Sequence, residues 1–350
     1  MHPEILAHVV RDGVVECEHY GVAAAVREMK LVESAGSPKD EFYYRSSLKP
    51  FQAIPFVESG AIERFGLDES HVAIVSGSID ANERQVAMVR DMLSRGGLTE
   101  DHLQCPPDLP GDEAEASPIH VDAVRRGLKK SRIFHNCAAK HAGMLLASLM
   151  YGAPPERYLE RDHPVQKRIA EVMKTVLKHP REVIGLDPEH WHYGGDGCGA
   201  PCLSASVFEM AASFSSLVKP GNDIPPDLAK HLTRIARAMA KYPELIGGDE
   251  RHIDTDIMRF AKGGLVAKGG AEGLLCVARF SDGLSLAIRS VDGQRRGMRP
   301  AAIAWLKMLG MLPQDTGKTF YYYESKPVKS RGDRIVGAIT YCGKTFQLKT

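Results

Sequence analysis

The 350-residue chain has no apolar run long enough to span a membrane. Its most apolar stretches, such as 142–150, reach about half of the ~20 residues a span requires. It also lacks an excess of charge of either sign. Lys plus Arg number 45 against 44 for Asp plus Glu, a net charge of +1. That excludes the basic field of a general nucleic-acid binder or an anionic-lipid anchor, and leaves small, weakly charged or zwitterionic partners. No low-complexity tract or internal repeat is present. With 43% hydrophobic and 25% charged residues, a disordered or fibrous chain is excluded as well.

The cysteines form no C-x-x-C pair, and there is no H-x-x-x-H. Seven cysteines, at positions 17, 105, 137, 198, 202, 276 and 342, are an odd number in a long chain. The opening residues Met1 to His8 carry neither the basic start nor the apolar segment of a secretory leader. The expected compartment is a reducing cytoplasm, with cysteines buried, reactive or metal-bound rather than paired.

Strand signals cluster at the two ends of the sequence. Leu6 to Arg11 and Val14 to Glu18 flank Asp12-Gly13, a hairpin signal, and Val22 to Arg27 continues the pattern. Leu274 to Phe280, Leu284 to Ser290 and Ile335 to Tyr341 read as strands near the other end. The middle is mostly helical. Val165, Ile169, Val172 and Val176 follow Pro164 at helical spacing, and Leu228, Leu232, Ile235 and Met239 repeat the pattern. The expected fold class is α+β: an antiparallel sheet built from both chain ends with helices on it, plus a mainly helical lobe. The sheet lobe is expected at about 1–45 and 255–350, and the helical lobe at about 46–254.

Two groups of residues carry possible chemistry. In Arg45-Ser46-Ser47-Leu48-Lys49-Pro50-Phe51-Gln52, a helix starting near Ser46 would put Ser46 and Lys49 on one face. A lysine in an apolar pocket loses its proton near neutrality and serves as base to a serine nucleophile. Ser-x-x-Lys alone is weak, since roughly one or two chance copies are expected at this length. A second copy, Ser216 to Lys219, stands where a helix end is expected. Context adds weight. Val75-Ser76-Gly77-Ser78-Ile79-Asp80 reads as an apolar strand running into a small-residue turn, and Lys268-Gly269-Gly270-Ala271-Glu272-Gly273 precedes the late strand pair. That order of elements is the one used by serine β-lactamases and penicillin-binding proteins.

The second group joins His135-Asn136-Cys137-Ala138-Ala139-Lys140-His141 to the loop Gly194-Gly195-Asp196-Gly197-Cys198-Gly199-Ala200-Pro201. Cys137 and Cys198, with Lys140 or His141, could hold one zinc ion, because thiolates suit that metal. Inert buried cysteines and a simple turn are the plainer alternative. His190 and His192 are further candidate ligands.

Taken together, these segments resemble the L-asparaginases of the Rhizobium etli type, whose fold is similar to serine β-lactamases and glutaminases. The shared elements, in order, are R-S-S-x-K-P-F-Q, N-C-x-x-K-H-A-G-M-L, D-G-C-G-A-P and K-x-G-A-E-G, with Asp254-Thr255-x-x-Met258 a weaker fifth. The resemblance implies two Ser–Lys tandems, Ser46 with Lys49 and Ser78 with Lys268. It also implies zinc on Cys137, Lys140 and Cys198, with Arg45, His141 and Asp196 around them. L-asparagine as substrate and a homodimer are implied as well. One departure stands out: the family commonly reads A-S-H-x-G-E around the second serine, whereas this chain reads Gly77-Ser78-Ile79-Asp80-Ala81-Asn82.

The expectation is therefore an amidohydrolase that converts L-asparagine to L-aspartate and ammonia through an acyl-enzyme, with a slight lean to Ser46 as nucleophile. Zinc is expected to position substrate rather than make the nucleophile. A glutaminase-like amidohydrolase and a zinc hydrolase using metal-bound water are the alternatives. Glutamine differs from asparagine by one methylene, worth only about 1–3 kcal/mol in a pocket.

Overall fold

The computed structural model describes residues 1–187, 189–249 and 251–346. Its main sheet is antiparallel and eight-stranded. Strands β1 (Glu4–Arg11), β2 (Val14–Arg27) and β3 (Lys30–Ala35) come from the start of the chain. After β4 (Glu41–Tyr43), the chain enters a largely helical segment that holds only two short strands, β5 (Tyr193–Gly195) and β6 (Pro201–Ser206). The main sheet is then completed by β7 (Leu265–Gly270), β8 (Leu274–Arg279), β9 (Ser285–Ser290), β10 (Ser325–Lys329) and β11 (Ile335–Tyr341). The strand order is β10-β11-β1-β2-β9-β8-β7, with β3 also pairing with β2, while β4, β6 and β5 form a small separate sheet. The α+β architecture sewn from both chain ends is therefore observed.

Val14–Glu18 and Val22–Arg27, which continues the pattern, run on without a break. The two halves are one fourteen-residue strand, β2. Its first half pairs with β1 and its second with β9 and β3, so the strand has a neighbour along its whole length. Val22 to Val26 are all buried without alternation. Helices α6 (Val207–Val218) and α9 (Arg295–Met308) both pack on this region of the sheet, and a strand covered on both faces has no polar side to show. Strands β3 and β10 were not legible in the sequence; Lys30–Ala35 and Ser325–Lys329 are short and lack a regular apolar alternation.

The helices that frame the site are α1 (Lys49–Gln52), α2 (Glu69–Val75), α3 (Glu83–Arg95), α4 (Ala138–Met150), α5 (Pro164–Val183), α7 (Pro226–Lys241) and α8 (Ile253–Ala261). The two helical periodicities hold. Val165, Ile169, Val172 and Val176 are the buried face of α5, and Leu228, Leu232, Ile235 and Met239 that of α7. The segment ending at Val75, expected as a strand, is helix α2. Asp68 caps it, accepting from Ser70 N while His71 reaches back to the cap; that start signal outweighs the β-branched run behind it. Ser216 lies in the last turn of α6 and Lys219 is its C-cap, so the second Ser-x-x-Lys is a helix end, as expected.

Candidate active site and metal centre

Four backbone elements deliver the reactive side chains. A short 3-10 turn, Arg45–Leu48, runs into α1 and drives Lys49 inward, where its side chain is fully buried. Ser78 follows α2 on a turn whose N–H donates to Ile246 O at 2.6 Å. Gly77 makes that approach possible: a Cβ there would lie 2.4 Å from Leu245 O. Lys268 sits on β7, buried rather than in a solvated loop. Asp254 enters from the first turn of α8.

These groups meet at a cavity of about 500 Å³ whose lining includes Ser46, Ser78, Asn136, Asp254 and Lys268. The pairing differs from the expected tandems. Lys49 Nζ hydrogen-bonds to Ser78 Oγ at 2.8 Å and donates to Asn136 O at 3.1 Å. Lys268 Nζ donates to Gly269 O at 2.8 Å and to Asp254 Oδ2 at 3.3 Å. Among the described residues, the Ser46 hydroxyl makes no hydrogen bond, though it faces the same cavity. Sharing a helical face brought Ser46 to the cavity wall but not to Lys49, because the buried lysine is directed at the neighbouring turn. Ser46 is not a helix cap either; Tyr44 holds the N-cap position of the 3-10 turn.

The electrostatics separate the two lysines. Burial pushes the Lys49 amine down to about 8; the Lys268 and Lys140 cations act in the same direction, and Cys137 and Cys198 oppose them. A neutral amine is thus within reach at mildly alkaline pH, next to a serine hydroxyl. Lys268 is instead bound in a buried ion pair. Asp254 is fully enclosed, a setting that raises a carboxyl pKa, yet Lys268, His252 and the Gly269 N–H outweigh burial and hold it down at about 2. Asp254 Oδ2 accepts from Gly269 N at 2.8 Å and Oδ1 from Thr255 N at 2.9 Å, so both oxygens are satisfied.

The second group also converges. Cys137, Asp196 and Cys198 offer three ligand atoms that lie within 4.8 Å of one another. Lys140 Nζ is 3.2 Å from Cys198 Sγ. Cys137 is the N-cap of α4, Lys140 lies one turn in, and the β5–β6 loop brings Asp196 and Cys198 across. The Cys137 thiol is held well below its ordinary range, chiefly by a hydrogen bond with Cys198 and further by Lys49 and Lys140; Cys198 is pushed up. Two buried sulfurs, a carboxylate and an amine around one point match the donor chemistry of a zinc site. Asp196, expected only beside the metal, belongs to this donor set. His190 and His192 do not: they are outside it and lie 3.2 Å from each other.

Arg45 braces the group from outside. It holds a left-handed backbone, φ +49°, rare for a residue with a side chain. Its Nε donates to Asp196 Oδ1 at 2.8 Å, with Glu272 at 3.6 Å. His141 is buried, with Nδ1 2.6 Å from Tyr158 OH. Burial keeps its pKa well below the ordinary value, so it stays neutral. Its Nε2 is buried without a partner.

Sequence reasoning missed Asp80 and His252, which line the cavity 2.8 Å apart although 172 positions separate them in sequence. Asp80 lies in the run that departs from the family pattern. Asp254 was visible only as part of the weak fifth motif, with nothing to tie it to Lys268. Arg295, paired with Asp112 on the cavity wall, gave no signal at all.

Comparison with solved structures finds similarity at low identity. A β-lactamase/D-alanine carboxypeptidase from Pseudomonas syringae is 14% identical, covering 81% of this chain and 92% of that one, with a TM-score of 0.42. An octameric penicillin-binding protein homologue from Pyrococcus abyssi is 12% identical over 82% of this chain and 72% of that one, TM-score 0.41. A Bacillus glutaminase is 13% identical over 79% and 85%, TM-score 0.34. No curated protein matches by sequence. The family described as L-asparaginase II matches residues 7–341. With nearly the whole chain matched, this chain belongs to the L-asparaginase II family.

Proposed function

We propose that the protein is an amidohydrolase that converts L-asparagine to L-aspartate and ammonia, with Ser78 as nucleophile and Lys49 as its base. The observation that carries this reading is the 2.8 Å contact between Lys49 Nζ and Ser78 Oγ, together with a buried amine whose pKa is about 8. Neutral Lys49 takes the Ser78 proton as Oγ attacks the side-chain amide carbon. The same proton goes to the departing nitrogen, which leaves as ammonia, and an ester remains on Ser78. Water adds to the ester, Lys49 again relays the proton, and aspartate and the free serine are restored. The earlier lean to Ser46 has less support. Its hydroxyl faces the cavity without a basic partner and suits contact with substrate or with the attacking water.

Lys268 pairs with Asp254 and uses two of its three N–H groups, on Gly269 O and on Asp254. The third is free to meet negative charge that develops on the amide oxygen. Zinc is proposed on Cys137, Lys140 and Cys198, with Asp196 as a further donor. When bound there, it would supply fixed positive charge that orients substrate. The residues of the chain that touch that centre, Arg45 through Asp196 and Lys49 through its field, would then be held in register. A homodimer and a reducing, cytoplasmic setting complete the proposal; all seven cysteines are free, and no helix among the described residues is long and apolar enough to cross a membrane.

The test is ammonia release from asparagine and glutamine side by side, with the wild type, Ser78→Ala, Ser46→Ala and Cys137→Ala. Loss of turnover in Ser78→Ala with substantial activity left in Ser46→Ala supports the assignment. Full rate in Ser78→Ala would overturn it. Glutamine outpacing asparagine would overturn the substrate while leaving the chemistry.

A further inference from the structure

We infer that Asp80 and His252 form the receptor for the charged head group of an α-amino-acid substrate, Asp80 taking the ammonium and His252 the carboxylate. This rests on the amidohydrolase reading for the identity of the substrate and on geometry for the rest.

The two side chains are a preformed hydrogen-bonded pair of an acid and an imidazole inside the cavity. His252 Nε2 is 2.8 Å from Asp80 Oδ2, and both residues line the cavity that holds Ser78. Burial works to lower the His252 pKa, but Asp80 and Asp254 outweigh it and, with Lys268 opposing them, hold it above its ordinary value. A zwitterion is best met by its own complement, and an ion pair with one valence left on each partner is that complement. Those valences exist here. Among the described residues, Asp80 Oδ1 and His252 Nδ1 make no hydrogen bond, and neither is among the fully buried orphan atoms.

Asp80 is a cavity acid with capacity to spare, and it stands two residues from Ser78. Asp254 has both oxygens engaged. Asp112 is held by Arg295 on one oxygen and by Glu115 N on the other. The Ser78 and Asp80 N–H groups both reach the 246–247 segment, while Ile79 N–H turns the other way to Asn136 O. That is the alternation of extended chain, in which residues i and i+2 share a side. Their Cα atoms then stand roughly 7 Å apart, within the length of a short amino acid. Gly248 backs the carboxylate so closely that a Cβ there would lie 2.1 Å from Asp80 Oδ2, which fixes where the head group would sit. This assignment also gives a role to the departure from A-S-H-x-G-E after Ser78.

The experiment compares three amides on the full-length protein: L-asparagine, succinamate (asparagine without its ammonium) and β-alaninamide (asparagine without its carboxylate). The proteins are wild type, Asp80→Asn and His252→Gln, with thermal melting as the check on folding. The wild type should favour asparagine over each truncated amide by about 10- to 100-fold in kcat/KM, the range of one charged hydrogen bond. Asp80→Asn should collapse the asparagine-to-succinamate ratio at least about tenfold, and His252→Gln should collapse the asparagine-to-β-alaninamide ratio by as much. A merely structural role would lower all three amides in proportion and overturn the proposal. If no amide releases ammonia, the amidohydrolase reading falls. The receptor is then judged by calorimetry with L-aspartate, succinate and β-alanine. Equal binding of L-aspartate and succinate by the wild type would overturn it, and a preference for L-aspartate abolished in Asp80→Asn would sustain it.

Discussion

Lys49 and Ser78, 29 positions apart in sequence, are joined by a 2.8 Å hydrogen bond in a site from which the lysine has no access to solvent. The serine that shares a motif with Lys49 is therefore not the serine Lys49 touches. In this arrangement an amine that loses its proton near pH 8 faces a hydroxyl, and the second buried lysine is set apart by its carboxylate.

The first prediction concerns the base. Lys49→Met should lower kcat for ammonia release by about 10²- to 10⁴-fold, the usual range for a general base. Melting temperature should hold or rise, because a buried amine pushed toward neutrality contributes little in its charged form. A steady-state assay with a melting curve on the same preparation checks both. A variant with near wild-type kcat would remove Lys49 from the mechanism.

The pH dependence follows from the same group. Lys49 is depressed to about 8, and the proposed role as base needs its neutral form. Activity should therefore be low at pH 6, rise with a slope of one proton through about 8, and level off above it. A profile of kcat/KM in a constant-ionic-strength buffer series tests this. A rise centred near pH 6, or one that continues past pH 10, would contradict it.

The Asp254–Lys268 pair should dominate local stability. Removing one member of a buried pair leaves an uncompensated charge, at a cost of about 3–5 kcal/mol. Asp254→Ala is thus expected to lower the urea midpoint sharply, and Asp254→Leu combined with Lys268→Met should recover much of the loss without restoring activity. The sign with pH follows from the lowered carboxyl. The folded pKa of about 2 lies below the ordinary carboxylate value, so the pair's contribution is present above about pH 4 and fades as pH falls toward 2. Denaturation curves at pH 7 and pH 3 on wild type and Asp254→Asn measure it.

The cysteine centre predicts a metal stoichiometry. Protein purified without chelator should carry about one zinc per chain, and Cys137→Ser or Cys198→Ser should lose it. Arg45→Ala should weaken retention less, because it acts through Asp196. Elemental analysis after dialysis against a chelator, read with the melting temperature, tests this. Equal metal content in wild type and Cys198→Ser would rule the centre out.

Much of the architecture was legible in the residues. Apolar alternation beside Asp12-Gly13 marks a hairpin, and 3.6-residue periodicity behind Pro164 marks a helix, because both depend on neighbours in sequence. The same local reading failed at Val72 to Val75. There a β-branched run suggests a strand, but the Asp68 cap and helical neighbours decide the matter. The residues of the site were legible by type and order, and Ser46, Lys49, Ser78, Cys137, Lys140, Cys198 and Lys268 all come to one region. Their partners were not.

What the sequence determined alone is the inventory: strand-forming ends, a helical middle, and a set of hydroxyls, amines and thiols with no excess charge to dilute their effect. Tertiary structure decided which amine serves which hydroxyl. It gave Ser78 rather than Ser46 to Lys49, gave Asp254 to Lys268, and brought His252 to Asp80 across 172 positions. Spacing along a chain fixes only which side chains share a face. Desolvation and charge pairing act through space, so they are set only when distant segments close over the same cavity.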